Sequence, residues 1–430
     1  MRFLPRAAFV AVLLAPVVAM AQVAPIAGDW YGTLAIPNGP KLALVFHIKP
    51  DGSATVDSPN QMAKGMPATA TLADGKVAVT LSAIPASFEG AVSADGQSLQ
   101  GQWLQGGGAL PLTMSRTAPV LNRPQAPKPP FPYRAEEVSY RNPASGLKLA
   151  GTLTLPEGAG PFPAVVLITG SGAQDRDETM FGHKPFLVIA DALTRKGVAV
   201  LRVDDRGTGG SEKGDASAAS IPAFATDVAA GVAFLRGRPD IDPARVGLLG
   251  HSEGGQVAPL VAQNRALFAA SGMPDDQVEI LVKNRAERFA AVRDAKDADD
   301  ARVRLTEVLN RQGLPPTSPE RVATLTLASP AWRYFLSTNP ADALAKVKVP
   351  VLAIGGSKDL QVDAKTNLAA IRAALAGDQD VTVKELPGLN HLFQTANTGL
   401  VIEYGQIEET IAPAALATIV DWTAAHAAKR

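Results

Sequence analysis

The stretch Arg245-Val-Gly-Leu-Leu-Gly-His-Ser-Glu-Gly-Gly255 constrains the fold of this chain more than any other. A short apolar run, Val246 to Leu249, leads into Gly250-His-Ser-Glu-Gly254. Small residues and an apolar helical pattern (Val257, Leu260, Val261) lead out. Strand, sharp turn and helix in that order is the setting in which Gly-x-Ser-x-Gly lifts a serine hydroxyl to the tip of a strand. The turn strains the serine backbone. Side chains two residues to either side would clash, so glycines occupy positions 250 and 254. The open helix N-terminus beneath the hydroxyl favours negative charge developing there.

At 430 residues the chain is long enough for two or three domains and a large buried core. Its formal charge is balanced and it has no long basic run, which argues against nucleic acid as a partner. It contains no cysteine, so a thiolate nucleophile, thiolate metal sites and disulfides are excluded. The N-terminus reads as a Sec-type leader spanning 1–21. Arg2 and Arg6 form a positive start, Ala7 to Val18 an apolar core, and Ala19-Met20-Ala21 a small-x-small cleavage site. Gln22 is then the expected first mature residue, with a net charge of about −2 once the two arginines are gone. The expected address is the periplasm or the outside of a bacterial cell. No other stretch is long and apolar enough to span a bilayer, so no stable membrane insertion is expected after cleavage.

Residues 23–118 read as a small all-β domain. Short alternating runs such as Leu42 to Ile48 and Lys76 to Leu81 are separated by Asp51-Gly52, Asp74-Gly75 and Asp95-Gly96. Asp-Gly suits tight hairpins because both central residues accept positive φ. The opening Gly28-Asp-Trp30 with a late Arg116 resembles lipocalin-like barrels. That leaves open a ligand-binding or docking module, or a structural add-on to the rest of the chain. Residues 119–133 carry Pro119, Pro124, Pro127, Pro129, Pro130 and Pro132 and read as a semi-rigid linker.

From 134 to 430 strands alternate with helical patterns, the signature of an α/β domain. Expected strands include Leu147 to Leu155, Ala164 to Thr169, Ala199 to Asp204, Val349 to Ile354 and Val381 to Leu386. Expected helices are Pro185 to Lys196, Ala223 to Arg236, Gln256 to Asn264, Asn367 to Ala376 and Pro413 to Ala428. Residues 265–345 break the rhythm with alternating charges at helical spacing and read as a helical cap. Trp332, Tyr334 and Phe335 near its end suit either an acyl-pocket wall or the cap's own core.

A serine hydroxyl needs a base near neutrality and a carboxylate that fixes the base's tautomer. Five histidines are available. His47 lies in the β domain, His426 at the end of the last helix, and His251 inside the elbow. His183, on the loop after the Ala164 strand, competes with His391, which follows the last expected strand. Asp359, just past the Val349 strand, is the first choice of acid, with Asp363 as runner-up. The oxyanion hole needs two amides. Glu253, after the serine, supplies one, and the loop Thr169-Gly-Ser-Gly172 supplies the other through Ser171 or Gly172. Asp204-Asp-Arg-Gly-Thr-Gly-Gly-Ser211 lacks Gly-Lys-Ser/Thr and reads as scaffold rather than a phosphate cradle.

Five segments together resemble secreted bacterial α/β-hydrolases of the esterase type, related to the serine aminopeptidase-like and dienelactone-hydrolase branches. They are Gly170-Ser-Gly-Ala-Gln-Asp-Arg-Asp177, Asp205 to Ser211, Gly250 to Gly255, Lys358-Asp-Leu-Gln-Val362 and Leu389-Asn-His-Leu-Phe-Gln394. The resemblance implies hydrolysis of carboxylic esters with short acyl groups, on a small-molecule substrate. It carries Ser252, Asp359 and His391 over as the triad in the order serine, acid, histidine. No metal or cofactor is expected. An amidase or peptidase of the same fold, and a binding protein with a vestigial hydrolase domain, are the alternatives. One departure stands out. The parallel strand expected between the helix after the elbow and the Val349 strand is not found, and Val322 to Leu327 is the nearest substitute. A gap there would displace Asp359.

Overall fold

The computed structural model describes residues 23–37, 41–61, 63–119, 122–214, 221–255 and 275–428. The expected leader and the helix expected at Gln256 to Asn264 lie outside the described residues. The chain divides into two units, Met1–Val120 and Leu121–Arg430.

The first unit is a closed barrel of eight antiparallel strands, from β1 (Gly28–Ala35) to β8 (Gly108–Ser115), with β1 paired to both its sequence neighbour and β8. Period-two alternation buries Trp30, Phe46, Phe88, Leu99, Leu112 and Met114 almost completely. Each such side chain contributes roughly 1.5–3 kcal/mol of transfer free energy. Phe46 packs against Phe88 and Trp103, with ring centroids 5.7 and 6.3 Å away. The Arg116 guanidinium sits 3.7 Å from the Trp30 ring centroid and donates to the carbonyls of Ala27 and Pro25. Trp30 Nε1 donates to Ile26. The Gly-x-Trp opening and the late arginine therefore meet. Among the three Asp-Gly pairs only Asp74-Gly75 has positive φ at both residues (49° and 72°), in the tight loop between β4 (Ala63–Ala73) and β5 (Lys76–Leu81). At the other two only the glycine is left-handed, and the aspartate accepts the amide two residues on, from Ser53 and Gln97.

The second unit begins with a segment that is not a free spacer. Arg123 donates to the carbonyls of Phe181, Gly405 and Ile407. Gln125 accepts the amides of Thr410 and Ile411 and donates to the Ile411 carbonyl. Tyr133 Oη donates to Asp191. These side chains pin the segment to the rest of the unit.

Five strands form one sheet in the order β13 (Ile241–Gly250), β11 (Phe162–Ile168), β12 (Ala199–Val203), β10 (Lys148–Leu155), β9 (Arg134–Arg141). β11 runs parallel to both of its neighbours, as its unbroken apolar run requires. A separate parallel pair holds β14 (Val351–Gly356) and β15 (Val381–Leu386). Helices α1 (Pro185–Arg195) and α10 (Pro413–Ala428) bury Phe186, Ile189, Leu193, Ala415 and Ile419 in one core with Val165, Leu167, Leu386 and Leu389. α2 (Ile221–Arg236) contributes Leu235 to a second core, with Leu153, Val166 and Leu201.

Among the described residues the cap holds five α-helices: α3 (Asp275–Arg293), α4 (Ala298–Arg311), α5 (Pro319–Leu325), α6 (Pro330–Ser337) and α7 (Pro340–Leu344). Val292, Leu305, Leu309 and Ala328 form its own core. The substitute strand at Val322 to Leu327 is helical instead. Ser318 caps it by accepting the Arg321 amide, and Pro319 starts it. No hydrogen-bonded pairing joins β13 to β14 among the described residues. Much of the segment searched for the missing strand, 256–274, lies outside them. No helix among the described residues is long and apolar enough to cross a membrane.

Candidate active site

Ser252 follows β13 with φ of 53°, a conformation that costs a non-glycine residue of order 1–3 kcal/mol and marks a strained turn. A Cβ on Gly250 would collide with the Gly254 carbonyl, and one on Gly254 would lie 2.5 Å from the Ile168 carbonyl. Both flanking glycines are thus required by backbone packed against backbone.

His391 lies on the loop after β15, and its Nε2 is 3.0 Å from Ser252 Oγ. Its Nδ1 is 2.8 Å from Asp359 Oδ2. The other carboxylate oxygen, Oδ1, accepts the amides of Gln361 and Val362 at 2.8 Å each. A carboxylate only accepts, so Nδ1 carries the ring proton and Nε2 turns its lone pair to the serine. Asp359 reaches His391 although β14 and β13 are unpaired among the described residues. Asp363 instead caps α8 (Ala364–Ala374) by accepting the Thr366 amide.

The remaining histidines have other partners. His183 is fully buried between Thr410 Oγ1, the Gln394 side chain and the Tyr404 carbonyl. Burial, with Arg123 nearby, pushes its pKa down to about 4. His47 contacts Asp29 and Asp57, and His426 contacts Asp380 and the Trp422 carbonyl. The base loop is locked by Asn390, whose Oδ1 accepts the amides of Leu392 and Gln394.

Glu253 follows Ser252 in a short helical turn, and the loop that bears Ser171 approaches the serine at Gly170, where an added Cβ would lie 3.2 Å from Ser252 Cβ. The Gly170 amide is taken, donating to Glu178 Oε1 at 2.7 Å. The loop that bears Ser171 is tied down along its length. Asp205 accepts from Thr169 Oγ1 and the Gln174 amide. Burial pushes the Asp205 carboxyl up to about 6, against the hydrogen bonds from Gln174 and Thr169 and with the charges of Glu178 and Asp227 adding to the rise.

Each member of the run Asp175-Arg-Asp-Glu178 has a partner. Asp175 accepts the amides of Asp177 and Thr179. Arg176 bridges Asp204, Glu137 and Thr152. Asp177 pairs with Arg202 and Lys184. Glu178 pairs with His251. An unbroken run of charge entering a buried loop is a signal for such pairing. The loop from Asp204 to Ser211 is scaffold of the same kind. Asp204 accepts from Arg176 and the Gly210 amide, and Ser211 Oγ bridges the Asp204 carbonyl and the Ala150 amide.

A cavity of about 870 Å³ lies behind the elbow, between α2, β11 and β13. It borders Gly170, Gly172 and Glu253, but not Ser252, Asp359 or His391, and Trp332, Tyr334 and Phe335 do not line it.

The family description "Alpha/beta hydrolase family" matches residues 165–403, more than half of the chain and the whole stretch that carries Ser252, Asp359 and His391. The chain belongs to the alpha/beta hydrolase family. A curated relative, esterase EstD of Thermotoga maritima, is 32% identical over 253 residues, 57% of this chain. The match spans 58% of that relative's length. Among solved structures, Est1E of Butyrivibrio proteoclasticus with ferulic acid bound is 16% identical, with a TM-score of 0.40 over 68% of this chain and 100% of its own. An esterase of Pyrococcus furiosus is 17% identical, with a TM-score of 0.36 over 63% of this chain and 91% of its own.

Proposed function

We propose that the protein is a serine hydrolase that cleaves carboxylic esters with short acyl groups. The observation that carries this reading is the unbroken line Ser252 Oγ–His391–Asp359, with contacts of 3.0 and 2.8 Å. Ser252 attacks the ester carbonyl while His391 Nε2 takes its proton, and Asp359 stabilises the resulting imidazolium. The amides of Ser171 and Glu253 receive the oxyanion. Collapse expels the alcohol with a proton returned by His391. Water activated by the same ring then releases the acid. The similarity to esterase EstD supports esters over amides as the preferred substrates.

The vestigial reading depends on a displaced acid, and the Asp359–His391 hydrogen bond weighs against it. The proposed setting is the periplasm or the exterior, on the strength of the leader from Met1 to Ala21. The test is turnover of p-nitrophenyl acetate and labelling by a fluorophosphonate, with Ser252→Ala as control. Both activities should vanish in the variant while its melting temperature stays near wild type. Undiminished turnover by a folded Ser252→Ala protein would overturn the proposal. An alanine-anilide run beside the ester separates an amidase.

A further inference from the structure

His251 has both ring nitrogens against acceptors. Nδ1 lies 2.9 Å from Glu178 Oε1, and Nε2 lies 3.0 Å from the main-chain carbonyl of His391. A neutral imidazole carries one N–H and satisfies one of these; an imidazolium satisfies both. Glu178 Oε1 also accepts the Gly170 amide, as a carboxylate does. Glu178 is 1% exposed, stands at a left-handed φ of 52°, and has no partner for Oε2. A buried acid on a strained backbone persists where its surroundings hold it.

The three points this pair touches are the informative part. Gly170 precedes Ser171, the oxyanion candidate. His251 precedes Ser252, the nucleophile. The carbonyl belongs to His391, the base. We propose that Glu178 and His251 form a buried ion pair that positions the oxyanion loop, the elbow and the base loop relative to one another. Both are positioning residues, acting through their neighbours, and their role in turnover rests on the reading of Ser252 given above.

The charge matters as well as the tether. The rings of His251 and His391 are 4.9 Å apart, so a lone cation on His251 would oppose the imidazolium that forms on His391 during turnover. Glu178 cancels it. The groups facing His251 are Glu178, His391 and Asp359; those facing Glu178 are His251 and Asp205. Burial drives the His251 pKa down, and the adjacent Glu178 charge more than offsets it, holding the ring at about 9. Its folded value lies above the ordinary one near 6.5. The stabilisation is therefore present in full below about 6.5 and is lost as pH rises through 9.

The first test uses the full-length wild-type protein and needs no turnover. Long-range proton–nitrogen spectra of ¹⁵N-histidine-labelled protein are recorded at pH 8, with His47, His183, His391 and His426 removed one at a time for assignment. The expected result is one imidazolium that survives all four removals. A neutral His251 at pH 8 overturns the proposal. The second test is Glu178→Gln, checked for folding by its melting curve. Its kcat should fall roughly 10- to 100-fold at pH 8 with KM little changed, the range that a misplacement of about 1 Å costs. The alkaline limb of its kcat profile should move down by about one pH unit or more, because the charge that holds the proton is gone. Wild-type kcat with an unshifted alkaline limb overturns the positioning role. Should that variant not fold, the spectra still decide on the ion pair. An inactive wild-type enzyme with a charged His251 would count against the ester chemistry and not against the pair.

Discussion

Asparagine at position 359 should be worse than alanine. Asp359 Oδ1 is held by the amides of Gln361 and Val362, and only an oxygen can take their hydrogen bonds. In Asp359→Asn the carbonyl oxygen must occupy that place, which turns the NH2 group toward His391 Nδ1. Two donors then face each other unless the ring proton moves to Nε2. In that tautomer Nε2 points a proton, not a lone pair, at Ser252 Oγ. The expected loss in kcat is roughly 10⁴-fold, the size seen when the acid of a Ser-His-Asp triad becomes an amide, or about 5 kcal/mol. Asp359→Ala leaves His391 free to adopt either tautomer, so it should retain roughly tenfold more activity than the asparagine variant. It should also melt lower, because two amides lose their acceptor at about 1–3 kcal/mol each where water cannot replace it. The assay is p-nitrophenyl acetate hydrolysis per folded molecule, alongside melting temperatures. If Asp359→Asn keeps more than roughly a tenth of wild-type kcat, or if folded Asp359→Ala is the slower of the two, the tautomer argument fails.

Further outcomes follow from other parts of the molecule. Gly250→Ala drives a methyl into the Gly254 carbonyl and should cost about 3 kcal/mol or more, read as a lower urea midpoint with lost fluorophosphonate labelling. Trp30→Ala should cost about 3–5 kcal/mol of barrel stability, visible as an earlier melting transition, and Arg116→Ala about 1 kcal/mol. His183 stays neutral in the fold down to about pH 4, whereas the unfolded chain takes up this proton near 6.5. Wild-type stability should therefore fall as pH drops from 6.5 toward 4, and His183→Gln should flatten that part of the curve. Gln125→Ala should lower the melting temperature by removing the acceptor of the Thr410 and Ile411 amides.

The elbow and the residues that meet at it, His391 and Asp359, were legible because local chemistry and chain order point to them. Gly250 and Gly254 mark a turn that no other residue fits, and elimination among five histidines leaves His183 and His391, of which the serine–acid–histidine order of the resemblance favours His391. β15 (Val381–Leu386) and α10 (Pro413–Ala428) begin and end where their apolar runs do. What the sequence hid is long-range pairing. Nothing local in Glu178 announces a contact with a histidine 73 residues away, and nothing in Gln125 announces a hold on Thr410 and Ile411. Val322 to Leu327, the nearest substitute for the missing strand, is helical for a local reason. Its β-branched residues favour a strand in isolation, but Ser318 and Pro319 cap a helix there, and Leu325 and Leu327 pack on the cap's own core. The Pro-rich segment read as a spacer because proline composition reports stiffness and says nothing about docking.

The way the site is assembled has a mechanical consequence. Ser252 rides at the end of the five-stranded sheet, while Asp359 and His391 follow the two-stranded one. Among the described residues no ladder of hydrogen bonds locks these two bodies in register. Apolar side chains of α1 and α10 pack against both, and the loops that carry the site meet through the Ser252–His391 and His251–His391 hydrogen bonds. Catalysis tolerates almost no slip, since a misalignment of about 1 Å already costs orders of magnitude in rate. A site held by packing and a few side-chain hydrogen bonds should fail before the sheets themselves do. Under mild heat or urea turnover should stop while circular dichroism still reports intact helices and strands.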